Sequence, residues 1–329
     1  MKNSLFLLGA AAVVALSSCS KNEVLEVAEN RAIGFDSFVG KPTKGVINSV
    51  NDLSSFNVFG GYSSLTNNFN NVVVTKSAEN VWGYDASLTQ YWEASKTYTF
   101  QAYAGAQATP LNSEFKVEPT DKGVQFTGFT ATGDADLLAS DVVTVTTNES
   151  SVPNSNAEYK VPFTFRHVLS MIKFTFESEL ATNVNITISD LTIKQINSTG
   201  NYTLSTQNTG TWGTLDNPTN YKFTTDGAFA APDTKVSSEV IVLPQTYEAK
   251  AIEVTFTLNA TGGLTITNAK HTVMMPAIAW EEGMRYNYVA TLTKDNIDPE
   301  NPLKPIEFAA PKVTPWEDQN GGDVEFNKQ

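Results

Sequence analysis

Past residue 31 the chain alternates apolar and polar residues with a period of two, in short runs rich in Val, Ile, Thr, Phe and Tyr. Such alternation turns one face of an extended segment toward a core and the other toward water, which is how half-buried β-strands read. Residues 97–103, 161–165, 172–176, 184–188, 191–194, 240–243, 252–258, 264–266 and 286–292 all follow it. Gly, Asn, Asp and Pro clusters separate the runs at spacings of about 8–15 residues. No stretch sustains an apolar helical period for three turns, so the sequence predicts an all-β chain of packed sheets. A length of 329 residues suits two such domains. The poorest strand pattern, rich in Asn, Ser and Thr, runs from Thr144 to Glu158. It places an N-terminal sandwich at 32–157 and a C-terminal one at 158–329.

Composition narrows the partners. With 22 basic against 35 acidic residues the net charge is −13, whereas nucleic acid requires a basic patch to neutralise its phosphates. A hydrophobic content of 41% supplies enough apolar surface to offset ordering entropy, so the chain is expected to fold. Only 17% of residues are charged while Asn, Thr and Ser abound, a composition suited to an exported protein. One cysteine and two histidines exclude a disulfide framework and leave no Cys/His zinc set. No cofactor is implied.

Residues 1–18 read as a secretory signal: Lys2, an apolar run from Leu5 to Leu16, then small residues before Cys19. The run is shorter than the ~20 apolar residues that a membrane-crossing helix needs. Leu16-Ser17-Ser18-Cys19 resembles the lipobox of bacterial lipoproteins, in which the cysteine is acylated and becomes the first residue. The resemblance implies lipid on Cys19 and anchorage to the outer membrane of a Gram-negative cell. Each buried CH₂ of an acyl chain adds ~0.8 kcal/mol to that hold. Residues 19–31, polar and acidic, form the expected tether.

Seven further segments, spread along the whole chain, resemble the fimbrillin family. These are Ala32–Phe38 with Lys41–Gly45, Leu53–Tyr62, Asp136–Ala139, Phe165–Phe174, Val242–Gln245, Trp280–Tyr288 and Val313–Asp318. The family comprises pilin-type subunits of bacterial surface fibres assembled from lipoprotein precursors. Membership implies two transthyretin-like β-sandwich domains and a structural, non-enzymatic role in a fimbrium. The implied partners are further copies of the chain or related subunits.

Relatives are matured by a trypsin-like protease that cuts after a basic residue behind the first strand. The matching bond here joins Lys44 to Gly45, and Arg31–Ala32 is a second candidate. Removing 32–44, a first strand carrying Ile33 and Phe35, is expected to leave a sandwich one strand short. Unpaired backbone groups along such a groove favour a borrowed strand. The tail, 304–329, offers Ile306, Phe308, Val313, Trp316, Val324 and Phe326 as alternating donor candidates. Most relatives carry Arg where Lys44 stands, and an uncut chain would stay lipidated as an anchor or tip subunit. A surface glycan-binding lipoprotein is the alternative from another class, with Trp82, Trp92, Trp212, Trp280 and Trp316 as a stacking platform.

The remaining chemistry-bearing residues have structural readings beside functional ones. His167 is expected to be half-buried and hydrogen-bonded to backbone, and His271 to be exposed on a strand. Asp134, Asp136 and Asp141 could offer oxygens to calcium but lack the spacing of a calcium loop, and they suit a turn ahead of a buried strand. The tryptophans suit core packing as well as a platform. No glycine-rich phosphate loop and no nucleophile–base pair is present.

Overall fold

The computed structural model describes residues 31–39, 53–105, 115–120, 123–148, 160–205, 210–298 and 303–316. Strands dominate them, and the only helical element among these residues is the three-residue turn Ala86–Leu88. Three sheets carry the architecture, and a two-stranded ribbon stands beside them. No helix among the described residues is long and apolar enough to cross a membrane.

The first sheet runs in the order Gly34–Val39, Lys160–His167, Leu137–Ser140, Thr97–Gly105, Ser55–Gly61, Phe69–Lys76 and Trp82–Gly83. Period-two alternation explains its inner face. Along Lys160–His167, Val161, Phe163, Phe165 and His167 are buried while Pro162 and Thr164 face water. Ser55–Gly61 is instead buried on both sides beyond its first residue. Phe56 and Val58 point into the first core, and Phe59 into a second, central one.

The second sheet is organised by Val184–Ser205, one strand of 22 residues. At ~3.3 Å per residue it could reach about 70 Å if straight. Its first half pairs with Glu253–Gly262, and that strand with Ile266–Met274; its second half pairs with Gly123–Thr130, and that strand with Lys116–Thr120. The sequence pattern divides this strand at Asp190, with runs at 184–188 and 191–194. The break is a bulge: pairing with Glu253–Gly262 shifts between Ser189 and Thr192, and Asp190 adopts a φ of 54°. An inserted residue bends a strand without ending it.

The third sheet faces the first half of that strand. Ser170–Ser178 lies parallel to Met284–Leu292 and antiparallel to Thr234–Val236 and Val240–Val242. Ile172, Phe174 and Phe176 meet Ile186, Ile188, Phe256 and Leu258 across the C-terminal core. The central core, built around Phe59, Tyr103, Phe126, Phe129, Leu169, Tyr202 and Trp316, lies where the sheets meet. Sheet membership crosses the compositional break at 144–158. Lys160–His167, beyond it, sits inside the first sheet, and Lys116–Thr120 and Gly123–Thr130, before it, add to the second.

Gly123 shows how tightly the second sheet is closed. Its φ is +135° and a Cβ there would lie 1.9 Å from the Leu204 carbonyl oxygen. Gly123→Ala is expected to cost ~1–3 kcal/mol through backbone strain. Gly83→Ala, where a Cβ meets nothing within 4 Å, is expected to stay within about 0.5 kcal/mol of the parent. Urea denaturation of the two variants measures the difference.

Candidate functional site

The leading strand is the first element of the site. Gly34–Val39 pairs in parallel with Lys160–His167 over six positions, from Gly34↔Lys160 to Val39↔Phe165. Alternation sends Ile33, Phe35 and Ser37 inward, at 1%, 2% and 1% exposure. The Phe35 ring sits among Phe69, Tyr84, Phe100 and Phe163, with centroids 4.9, 5.6, 6.0 and 5.9 Å away. Tyr84 also donates its hydroxyl to the Ile33 carbonyl at 2.7 Å, and burial pushes that hydroxyl above its ordinary pKa. Ser37 fits less well: its Oγ is buried with no hydrogen-bond partner among the described residues. Such an orphan hydroxyl costs ~1–3 kcal/mol.

Backbone bonds clamp the start of this strand. The Trp92 amide donates to the Arg31 carbonyl at 2.9 Å, the Ile33 amide donates to the Gln90 carbonyl at 2.8 Å, and Ala32 bridges Tyr91. The Arg31–Ala32 bond is therefore engaged in the fold rather than presented on a loop. Lys44 and Gly45 lie outside the described residues, as do Cys19, Val324 and Phe326.

The C-terminal arm, 303–316, is the second element. It runs back along Met284–Leu292: Phe308 bridges Ala290, the Ala309 amide donates to the Val289 carbonyl at 2.9 Å, and Lys312–Pro315 pairs antiparallel with residues 284–287. Ile306 and Phe308 are buried in the C-terminal core, with Phe308 4.9 Å from Phe174 between ring centroids. Val313 is 39% exposed. Trp316 is 2% exposed and belongs to the central core. Of the donor candidates described, three are thus core residues of the chain's own fold. With its first strand and this arm both in place, the chain has its leading segment and its arm docked on its own sheets.

Trp316 lies flat on His167, with ring centroids 4.1 Å apart and an interplanar angle of 3°. His167 Nδ1 is 2.8 Å from Asp136 Oδ2, and Asp136 Oδ1 accepts the Leu137 amide at 2.8 Å. His167 is therefore fully buried and held by a side chain, not half-buried on backbone as its sequence context suggests. The partner was discernible only in retrospect, because Asp136 and His167 stand in two of the family-like segments. His271 also departs from expectation: it is 7% exposed and stacked on Phe256, and burial lowers its pKa. Beside Tyr202 and Arg166, burial raises the pKa of Glu282, whose carboxylate accepts the Tyr202 hydroxyl.

The aspartates do not converge. Asp136 serves His167, Asp141 pairs with Arg166, and Asp134 accepts the Thr132 hydroxyl. No group of three or more His, Cys, Asp or Glu among the described residues is placed to hold a metal ion. Nor do the tryptophans form a platform. Trp82, Trp92, Trp280 and Trp316 are buried, and half-buried Trp212 donates Nε1 to the Val168 carbonyl.

The sequence profile of the family described as Fimbrillin-like matches residues 44–316. The chain belongs to that family. A fimbrial protein from Bacteroides vulgatus has a similar fold, with a TM-score of 0.59 at 16% identity, over 87% of this chain and all of the other. Candidate cell adhesion proteins from Bacteroides uniformis and Bacteroides ovatus superpose with TM-scores of 0.52 and 0.53, at 17% and 14% identity. They cover 87% and 88% of this chain and 98% and 99% of their own. No curated protein matches the chain. For this family member, Phe35→Ala is expected to lose ~3–5 kcal/mol of stability. Val313→Ala should lie within about 0.5 kcal/mol of the parent. Chemical denaturation of the uncut chain reads both.

Proposed function

We propose that the chain is a structural fimbrial subunit, exported as a lipoprotein precursor acylated at Cys19 and matured by a trypsin-like protease at Lys44–Gly45. Maturation removes the leading strand, and subunits then polymerise by donor-strand exchange. The reading rests above all on a match between two segments. Ile33, Phe35 and Ser37 are the alternate residues that fill the first core, and Ile306, Phe308 and Ala310 repeat that spacing in the C-terminal arm. An arm from a neighbouring subunit can offer Ile, Phe and Ala to the same three seats, with the buried orphan hydroxyl of Ser37 replaced by a methyl group. Val324 and Phe326 share the first two positions, but the third seat would fall to Lys328. A charge there is costly to bury. This comparison favours Ile306–Ala310 as the donor.

The engaged backbone of Arg31–Ala32 favours Lys44–Gly45 as the cut. A cut at Arg31 would also leave Ile33 and Phe35 seated. Should Lys44 escape the protease, the same chain would serve as the lipid-anchored or tip subunit. The docked state of both ends suits that role.

Digestion of the purified precursor with a trypsin-like protease is expected to give a new N-terminus at Gly45 and detergent-resistant ladders. An excess of a synthetic peptide spanning residues 303–316 should fill the vacated groove and shorten the ladders. The same peptide with Ile306→Ser and Phe308→Ser should not. Ladders indifferent to the first peptide would show that the arm is not the donor.

A further inference from the structure

Two family-like segments far apart in the chain, 165–174 and 313–318, meet in one contact, the stack of Trp316 on His167. Between Phe308 and Trp316 the arm is weakly held. Its residues Ala309, Ala310, Lys312 and Val313 are exposed. Among the described residues Lys312–Pro315 is an outer strand, paired on one side through four residues. Pro311 and Pro315 have no amide to donate, so two backbone bonds are unavailable to this stretch. Its far end is secured by the Trp316 side chain and by the Trp316 amide, which donates to the Gly283 carbonyl at 2.6 Å.

The placement of the stack matters as much as its burial. Ile306 and Phe308 bind within the C-terminal core, whereas Trp316 reaches the central core. His167 is the last residue of Lys160–His167, the strand whose other edge carries the leading strand as far as Phe165. Asp136 fixes the imidazole from the segment before Leu137–Ser140, the next strand of the same sheet. The arm is thus fastened to the strand that maturation would strip of a neighbour.

We propose that Trp316, seated on the His167–Asp136 pair, is a latch that holds the C-terminal arm on its own subunit. Loss of the leading strand loosens it by leaving Lys160–His167 with one paired edge. That the freed arm then serves assembly rests on the donor reading above; that the latch holds the arm does not. While the leading strand is present, arm and groove are both occupied at home. After the cut, the groove opens and the arm loosens in the same subunit.

Hydrogen–deuterium exchange of the amides of residues 312–314 and 316 in the full-length chain tests the proposal, because local opening appears directly as exchange rate. Asp136→Asn, which keeps the side-chain shape, and Trp316→Ala should each raise exchange in the arm about tenfold or more. The strands 170–178 and 253–262, which do not pair with the arm, should keep their protection. Cleavage at Lys44 of the unsubstituted chain should raise arm exchange in the same region. Unchanged arm exchange in both variants overturns the latch, and an equal rise across all strands in both makes the pair a general fold determinant and also overturns it. Unchanged exchange after cleavage overturns the coupling to maturation. If the arm opens as expected while the 303–316 peptide fails to shorten ladders, the latch stands and the donor reading falls.

Discussion

An aromatic side chain in a sheet core is worth several kcal/mol only while its strand stays in place, and in this chain the strand in question comes first. Phe35 is packed by four rings drawn from the strands and connections of the first sheet, so the hydrophobic centre of that half depends on a segment of six paired residues. Burial of a side chain of this size supplies ~1.5–3 kcal/mol by transfer alone. Its loss leaves a lined cavity as well as an unpaired strand edge. The rings around Phe35 are thus held in place by the leading strand itself.

The other end of the chain uses the same physics against a different surface. Ile306 and Phe308 occupy the C-terminal core as Ile33 and Phe35 occupy the first. Both pairs are seated at once, each in its own core. Ser37 is the one seat in the groove that its present occupant fills poorly.

Much of the framework was legible from alternation. The runs at 97–103, 161–165, 172–176 and 286–292 all fall within strands, and 252–258 does so from its second residue on, because period two registers directly as burial on one face. What stayed hidden was non-local. The parallel pairing of Gly34–Val39 with Lys160–His167 joins residues more than a hundred positions apart, and no local pattern encodes it. Val184–Ser205 looked like separate strands because Asp190 breaks the alternation, while backbone geometry absorbs the break as a bulge. Ser55–Gly61 is buried on both faces and so shows little alternation. Of the site, the apolar rhythm of both ends was visible. The stacking of Trp316 on His167 was not, since a histidine's neighbours across a fold leave no mark on its sequence context.

The long strand Val184–Ser205 belongs to the C-terminal core through Ile186, Ile188, Ile193 and Ile196, and to the central core through Tyr202 and Leu204. A pull applied to the two ends of the molecule is thus resisted by a continuous extended backbone, clamped on both flanks by neighbouring strands, and not by a loop between two beads. In a filament, such a member works as a tie rod: it passes load from one half of each bead to the other with little slack to take up.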